Sequence, residues 1–368
     1  TIEVEYVGFS TEAMAAFQAA VDIWEALIDS PVPIRILANW TPLDGSTLGG
    51  AIYTGAYANF DGAQKLDVFY PVALAEKITG QNLNGNTADI FAEFNSNATW
   101  HFDSGSNPPA NHYDLVTVVL HEIGHGLGFA GTFSSNGTTG RVGLLSGNVP
   151  IIYDVPIENF SNENLIQTSS FPSPSTALHT QLTGNNLFFD SPTSGRPKIY
   201  APTEFKSGSS ISHLDENSFP GATVNALMTP FIDQQERIHN PGIAWNMLKD
   251  MGWEFVRIVH QPLPNTEDVT GPYIVTVKIE DDNGFTASSL KLNYTLNGTA
   301  FTEVPMSPTG TPNEFSASLP SSGAREYGYF ISVNDNANRQ FVNPGKIVAK
   351  NQTERQNIFI FSTGPDTQ

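Results

Sequence analysis

Hydrophobic and polar residues alternate at the start of the chain and then change to a helical spacing. Ile2, Val4 and Tyr6 are two residues apart, which is the spacing of a strand with one buried face. After Ser10, which can cap a helix, apolar residues recur every three or four positions as far as Ile28. The pattern therefore predicts a strand followed by a helix. Further strands are predicted near residues 34–40, 51–57, 66–70 and 89–100.

Two more helices are predicted farther along the chain. One covers about residues 114–126, and the other about 241–251, where Pro241 suits a first turn and Gly252 a stop. Between them, residues 132–212 are rich in Gly, Ser, Thr, Asn and Pro. This segment is too long for a simple loop, so we expect an insertion with small strands of its own.

The character of the sequence changes after Glu254. Short alternating segments, typical of strands, are separated by turn sequences such as Asp281-Asp282-Asn283-Gly284. Strands at this spacing predict an immunoglobulin-like or fibronectin-like β-sandwich. We therefore divide the chain into residues 1–256, a proline-containing linker at 257–270, and the sandwich at 271–368.

Charge and composition exclude several classes of protein. Of 368 residues, 37 are Asp or Glu but only 17 are Lys or Arg, so the net charge of −20 reflects a shortage of basic residues. Nucleic acids and anionic membranes both require a basic surface, and neither is an expected partner. No apolar run approaches the roughly 18 residues of a transmembrane helix. Without cysteine there is no disulfide scaffold and no cysteine nucleophile, which leaves His, Asp and Glu as metal ligands.

The same composition indicates where the protein works. A chain that is poor in basic residues, rich in Asn, Thr, Ser and Gly, and free of cysteine is typical of secreted bacterial proteins. Thr1 stands where an initiator methionine would be, which suggests a signal peptide that has been removed. We therefore expect a secreted, extracellular protein of bacterial origin.

The sharpest chemical signal is His121-Glu122-Ile123-Gly124-His125 in the second predicted helix. Residues four apart lie on one face of a helix, so both imidazoles can bind one zinc ion at ~2.0–2.1 Å. Glu122 lies about 100° around the helix from His121, where its carboxylate can contact a zinc-bound water without binding the metal. The alternative is a helix with two ordinary core or surface histidines. The apolar residues before them argue against this, because burying two unpartnered histidines is costly.

Three glycines in and after this helix need an explanation. Gly124, Gly126 and Gly128 each weaken a helix by up to ~1 kcal/mol. We infer a close approach of the backbone to a neighbouring element and a sharp exit at Gly128.

The pattern His121-Glu-x-x-His125-x-x-Gly128 resembles the zinc signature of the metzincin metallopeptidases, and residues 114–129 resemble the matrixin active helix in particular. The family pattern has a His or Asp three residues after that glycine, where this chain has Gly131. Two histidines and a water leave zinc one ligand short. The remaining candidates are His101, His112, His179, His213, His239 and His260.

His213 is the preferred third ligand because a methionine segment comes after it in the chain. Met228, in Ala226-Leu-Met-Thr-Pro230, resembles the methionine turn beneath the zinc of metzincins. A long insertion, a third histidine and a methionine turn, in that order, resemble the leishmanolysin-like branch. Residues 240–253 also resemble the last helix of matrixin-like catalytic domains. The resemblance covers about residues 1–255 and implies an α+β zincin (metzincin-like) fold.

Other interpretations stay open. His213 could be an ordinary loop histidine, in which case His179 is the next candidate ligand. Asp215 and Glu216 could orient His213, although exposure on the surface is favoured for both. Two further histidines, His239 and His260, are expected to be solvated.

Two further expectations concern the substrate and calcium. If the resemblance holds, the strand near residues 89–100 is the edge strand above the cleft, to which a peptide adds as an antiparallel strand. The acidic turns at 281–283 and 334–336 are candidate calcium sites, not established, since neither has the EF-hand spacing and turn chemistry explains both.

Motif and resemblance together predict a secreted zinc-dependent endopeptidase that acts on a peptide or protein substrate. His121, His125 and His213 would bind one catalytic Zn²⁺, and Glu122 would act as general base and then acid. The sandwich would be an accessory domain that binds glycan or protein. Two alternatives are an adhesion or glycan- or protein-binding protein with a vestigial zincin site, against which the intact Glu122 argues, and a zinc hydrolase of a non-peptide bond.

Overall fold

The computed structural model describes residues 1–144, 148–296, 298–348 and 354–365. It is 16% helical and 33% strand, with a β-rich C-terminal region, and at this level the mixed fold class is confirmed. The chain divides into two compact units. The N-terminal unit comprises Thr1–Ala58 and Asp67–Trp253, and the C-terminal unit comprises Asn59–Leu66 and most of the chain from Glu254 onward. In the described ranges, none of the helices has the length and apolar character needed to cross a membrane.

The first part of the chain contains nine strands and three helices among the described residues. In order they are β1 (Ile2–Val7), α1 (Thr11–Glu25), β2 (Ile34–Thr41), β3 (Gly49–Tyr53), β4 (Ala56–Ala58), β5 (Lys65–Leu66), β6 (Phe69–Pro71), α2 (Val72–Thr79), β7 (Ile90–Asn95), β8 (Trp100–His101), β9 (Tyr113–Asp114) and α3 (Leu115–Gly126). The strand and helix predicted at the start of the chain are confirmed as β1 and α1. The short helix α2 was not predicted.

A four-stranded sheet in the order β1-β2-β7-β3 underlies the N-terminal unit. The first three strands are parallel, and β3 runs antiparallel to β7 with Ala51 opposite Ala92. Helix α1 buries Phe17 and Trp24 along the face that their spacing predicts, and it packs against α3. Helix α3 also packs against β3 and β7, so the helix with the paired histidines lies on the sheet.

The predicted edge strand is wrong. The segment near residues 89–100 forms β7, which lies between β2 and β3 inside the sheet, and β3 is the last strand on that side. The reason lies in the apolar content of the two strands. Ile90, Ala92 and Phe94 in β7 are fully buried, whereas β3 has no fully buried residue and begins with Gly49-Gly50. A strand with so little apolar surface gains less from an interior position.

The rest of the N-terminal unit consists of short elements. They are β10 (Ser134–Ser135), β11 (Gly140–Arg141), a 3-10 helix (Ile152–Asp154), β12 (Ile157–Asn159), α4 (Thr176–Leu182), β13 (Leu187–Phe189), β14 (Lys198–Ile199), α5 (Ile243–Leu248) and a π-helical turn (Lys249–Trp253). The small strands expected within residues 132–212 are present, as the pair β10-β11 and the three-stranded sheet β12-β13-β14. The predicted last helix is shorter than expected, and the following turn contains Gly252 at φ +124°.

The C-terminal unit contains two larger antiparallel sheets. Its strands from residue 254 onward are β15 (Val256–His260), β16 (Tyr273–Asp281), β17 (Phe285–Thr295), β18 (Thr302–Pro305), β19 (Ser307–Pro308), β20 (Glu314–Leu319), β21 (Arg325–Asp335), β22 (Gln340–Asn343), β23 (Lys346–Ile347), β24 (Arg355–Gln356) and β25 (Phe359–Thr363). The sheets are β15-β16-β20-β19 and β18-β17-β21-β22, with β25 also on β21. Both contribute to one hydrophobic core, for example through Val275 and Leu292. The prediction of a linker at residues 257–270 is wrong for its first four residues, because they belong to β15 and pair with β16.

Candidate metal centre

Helix α3 is fixed at both ends by side-chain hydrogen bonds. Asp114 caps its start, where the carboxylate accepts a hydrogen bond from Thr117 N–H at 2.9 Å. The indole N–H of Trp24 donates to the carbonyl of Leu120 at 3.1 Å, and that of Trp253 to the carbonyl of Leu127 at 2.8 Å. The Trp24 bond reaches the middle of α3, and the Trp253 bond satisfies the carbonyl of the residue that ends it, which helps α3 to be buried along its whole length.

The glycines of α3 mark close contacts, as inferred from the sequence. A methyl group at Gly126 would lie 2.4 Å from Cγ2 of Ile90, and one at Gly124 would lie 2.9 Å from Sδ of Met228. Gly128 adopts φ +117°, which ends the helix sharply in a conformation that other residues rarely adopt. The glycines thus let both β7 and Met228 approach the helix that contains the paired histidines.

The structure brings His121, His125 and His213 together in a buried group, here called the histidine cluster. Their Nε2 atoms are 3.0 Å apart between His121 and His125, 3.2 Å between His125 and His213, and 3.3 Å between His213 and His121. Each residue is less than a tenth exposed. Ligands ~2.0–2.1 Å from a tetrahedral metal are separated by about 3.3 Å, so this spacing fits one ion.

The Nδ1 atoms of the cluster fix the state of the three rings. His121 bonds the carbonyl of Leu227 at 2.6 Å, His125 that of Phe129 at 2.7 Å, and His213 that of Ser209 at 2.8 Å. A carbonyl only accepts, so each Nδ1 is the protonated donor and each neutral ring presents an Nε2 lone pair. Three lone pairs that face one another are costly to bury without a partner, and this donor set fits a metal ion.

Burial also keeps these rings neutral. It lowers the pKa of His121 to about 4 and that of His213 to about 3. The pKa of His125 lies well below its usual value for the same reason, with the neighbouring His121 and His213 adding to the effect. Only a neutral imidazole can bind a metal, so the cluster is in its ligating state over the whole neutral range.

Glu122 lies beside the cluster but is not part of it. It is 7% exposed, and burial raises its pKa to about 8 despite a backbone hydrogen bond from Ala51 in β3. A cation at the histidine cluster would favour the charged carboxylate and lower that pKa. The arrangement gives one carboxylate that can take up and release a proton next to three nitrogens that could hold a metal ion.

The segment around Met228 forms hydrogen bonds next to the histidine cluster. Met228 is fully buried, and its carbonyl accepts a hydrogen bond from the N–H of Leu214, the residue after His213, at 2.8 Å. The preceding residue, Leu227, supplies the carbonyl that orients His121. The Met228 side chain faces Gly124 and is not among the grouped ligands. The segment thus connects two of the three histidines.

A cleft of about 850 Å³ opens onto the histidine cluster and Glu122. One wall is β3 with the residues before it, and the other includes residues 229–233, in which Phe231 is 59% exposed. Gly131, Gly208 and Ser212 line a further part. An extended chain that enters this cleft would pass beside both β3 and the three nitrogens.

Two of the remaining histidines have roles that the sequence did not indicate. His179 lies in α4, with its Nδ1 2.7 Å from Oγ of Ser135, and is not part of the cluster. The expectation that His239 is solvated is wrong, since its Nε2 lies 2.6 Å from Oδ2 of Asp114 and its side chain is only 15% exposed. It therefore fastens the start of α3.

The remaining polar candidates also differ from expectation. His260 bonds the carbonyl of Thr276 and the hydroxyl of Tyr329, and it is not simply solvated. Asp215 is 2% exposed, so the expectation of surface exposure is wrong for it. His213 is oriented by the Ser209 carbonyl instead. In the described residues, neither acidic turn of the C-terminal unit brings three metal-binding side chains together.

Comparisons with known proteins add little to this geometry. A family model described as SPBPB7E8-like matches residues 44–190, well under half of the chain. No curated protein matches. Two solved structures of superoxide reductase (neelaredoxin) from Ignicoccus hospitalis are similar to part of the chain. One is 10% identical with a TM-score of 0.20 and covers 29% of this chain and 78% of its own, and the other is 14% identical with a TM-score of 0.17 and covers 25% and 80%. Likeness this weak carries no conclusion.

Proposed function

We propose that the N-terminal unit is a metzincin-like zincin domain and that the protein is a secreted zinc-dependent endopeptidase. The observation that carries this proposal is a buried cluster of three neutral histidines, oriented by carbonyls, beside Glu122 in an open cleft. The order of the paired histidines, His213 and Met228 along the chain supports the resemblance to the leishmanolysin-like branch. The C-terminal unit is proposed as an immunoglobulin-like or fibronectin-like accessory domain.

The reaction assigns a separate task to each group. His121, His125 and His213 would hold the zinc ion, which would supply a Lewis acid and lower the pKa of a water molecule. The Glu122 carboxylate accepts a proton from the attacking water and delivers it to the leaving amine nitrogen.

The cleft wall suggests how a peptide is oriented. β3 pairs with β7 along one edge and is the last strand of the sheet in the described residues, so its other edge can accept an antiparallel peptide strand. The backbone of Ala51 in β3 already bonds Glu122. A peptide paired to β3 would therefore have its backbone beside the carboxylate and the histidine cluster.

The test is digestion of a proteome-derived peptide library by three zinc-loaded proteins, with new termini identified by mass spectrometry. The wild type and Glu5→Ala, which changes an exposed carboxylate in β1, should cleave at equal rates. Glu122→Ala should lose about 100-fold or more of the rate while retaining its zinc, since it lacks only the proton-transfer group.

The other outcomes are equally informative. Cleavage by Glu122→Ala at the wild-type rate would remove Glu122 from the mechanism and indicate a contaminating protease. No cleavage by any of the three, with zinc bound, would contradict the peptidase proposal. In that case a hydrolase of a non-peptide bond or a glycan-binding or protein-binding role would be tested next.

A further inference from the structure

The backbone next to the third histidine adopts an unusual conformation. Ile211 has φ +71°, in the left-handed region, and it is fully buried. A β-branched residue is a genuine outlier there, because its side chain crowds the backbone. Such a conformation persists only where the surroundings enforce it, and it is found preferentially at functional sites. Ile211 is two residues before His213 and two after Ser209, whose carbonyl orients the His213 ring.

The N–H of Tyr200 donates to the carbonyl of His213 itself at 2.8 Å. Three further hydrogen bonds hold Ile211 and Ser212 in this turn. The N–H of Ile211 donates to the carbonyl of Tyr200 at 2.8 Å, and the carbonyl of Ile211 accepts from the hydroxyl of Tyr153 at 2.9 Å. The hydroxyl of Ser212 accepts from the N–H of Gly131 at 3.0 Å. Of these three, the bond from Tyr153 is the one that a side chain donates directly to the strained residue.

Tyr153 also contacts Phe129, the residue whose carbonyl orients His125. It lies in the 3-10 helix of the insertion, is fully buried, and packs its ring against that of Phe129 with centroids 5.1 Å apart. The carbonyl of Phe129 accepts the Nδ1–H of His125. Burial and the neighbouring Asp154 carboxylate raise the pKa of Tyr153 well above 10, so its hydroxyl keeps the proton that it donates.

We propose that Tyr153 is a positioning residue of the metal centre, whose hydroxyl holds Ile211 in its left-handed conformation and thereby places His213 against His121 and His125. The insertion therefore contributes to metal affinity from outside the ligand set. This inference rests on the metal centre proposed above but not on peptide hydrolysis. A merely structural tyrosine would affect stability and leave the metal unchanged.

The test compares Tyr153→Phe with wild-type full-length protein, since phenylalanine keeps the ring and removes only the hydroxyl. The control is Tyr57→Phe, which removes another tyrosine hydroxyl bonded to a carbonyl, that of Leu83 at 2.8 Å, in the same unit. Zinc affinity is measured by competition with a chelator, ligand geometry by the visible spectrum of the Co²⁺-loaded protein, and folding by thermal unfolding of the metal-free protein. Tyr153→Phe should bind zinc about 10-fold more weakly and change the cobalt spectrum, as loss of ligand support does elsewhere. Tyr57→Phe should change neither.

Strain gives a second, independent readout. In an Ile211→Gly background the left-handed conformation is accessible without crowding, so Tyr153→Phe should weaken zinc binding by about threefold at most. An equal loss in both backgrounds would overturn the role assigned to Ile211. Equal zinc affinities and cobalt spectra in Tyr153→Phe and wild type would overturn the proposal, whatever the peptide digestion shows. Full zinc binding by His213→Ala would overturn it as well, because the residue being positioned would not be a ligand.

Discussion

The two units bury polar groups in opposite ways. In the C-terminal unit, the guanidinium of Arg339 bonds Oδ2 of Asp335 and Oε2 of Glu254, both at 2.7 Å, so the buried positive charge has its counter-charges within the fold. In the N-terminal unit, the histidine cluster turns three lone pairs toward one another at 3.0–3.3 Å. No proton is available there once the Nδ1 atoms have donated to carbonyls.

The difference separates a polar cluster that is paired within the fold from one that could hold a metal ion. A buried polar group normally has a partner, because an unpaired one is costly. The Arg339 cluster supplies its own counter-charges, whereas the histidine cluster presents three acceptor nitrogens that a metal ion could bridge. Burial alone does not distinguish the two, since Arg339 and His213 are both 6% exposed.

The largest effect should follow the loss of one nitrogen from the histidine cluster. His213→Ala leaves two ligands, and we expect zinc affinity to fall well beyond the roughly 10–100-fold cost of losing a group that only orients a ligand. Zinc content after dialysis measures this. His179→Ala, which lies outside the cluster, should retain one zinc per chain. Loss of zinc from His179→Ala and not from His213→Ala would make His179 the third ligand and would contradict the role assigned to the histidine cluster.

The Arg339 cluster should respond through stability and not through metal. Arg339→Met leaves Asp335 and Glu254 without their counter-charge, and we expect the free energy of unfolding of the C-terminal unit to fall by about 3–5 kcal/mol. Hydrogen exchange in β21 follows this unit, and zinc affinity should not change. Lys278→Met, which breaks the exposed pair with Glu280, should cost at most about 1 kcal/mol. Equal losses in the two variants would mean that the Arg339 cluster is no more than a surface ion pair.

Asp154 is a third buried polar group. Its carboxyl oxygens accept hydrogen bonds from the backbone N–H groups of Thr132 and Ile151, which stabilise its charged form. Burial nevertheless raises its pKa from 3.8 to about 6. Between these two pH values the folded state retains a proton that the unfolded state has lost. Stability therefore falls as the pH rises from about 4 to 6, by roughly 3 kcal/mol from this group, and the effect is absent below and constant above that window.

Asp154→Asn should remove that slope. Urea denaturation of metal-free wild type and variant, followed by fluorescence, reports the N-terminal unit because all five tryptophans lie in it. The stability advantage of the wild type over the variant should shrink as the pH is raised from 4 to 6. A constant difference would show that the Asp154 carboxylate is ionised in the folded state throughout this range.

The sequence revealed the local part of the site and little of its surroundings. His121, Glu122 and His125 could be placed together because the spacing of a helix relates them directly. His213 lies far along the chain, and only the resemblance to a family singled it out. The carbonyls of Leu227, Phe129 and Ser209 could not be predicted, since every residue has a carbonyl and tertiary structure alone determines which ones face a ring.

The order of the strands in the sheet could not be predicted from the sequence either. Periodicity located β7, but its interior position depends on pairing with β2 and β3, which local pattern does not encode. The membership of residues 59–66 in the C-terminal unit was also missed. There β5 pairs in parallel with β23, some 280 residues later, and two-residue strands leave no hydrophobic pattern to detect.

The smallest change we consider tests the packing behind the histidine cluster. A methyl group at Gly126 would overlap Ile90 of β7. Alanine favours a helix by ~1 kcal/mol over glycine, but the overlap costs more. We therefore expect Gly126→Ala to lower the free energy of unfolding of the N-terminal unit by about 1–2 kcal/mol. Fluorescence-detected urea denaturation measures this, and Gly50→Ala, whose methyl group would meet nothing within 4 Å, should be nearly neutral. Because Ile90 belongs to the sheet beneath α3, relief of the overlap shifts the helix with its two histidines, and zinc affinity should fall together with stability. Reduced stability with unchanged zinc affinity would show that the carbonyl-bonded loops, and not the packing of α3 on the sheet, determine where the three nitrogens meet.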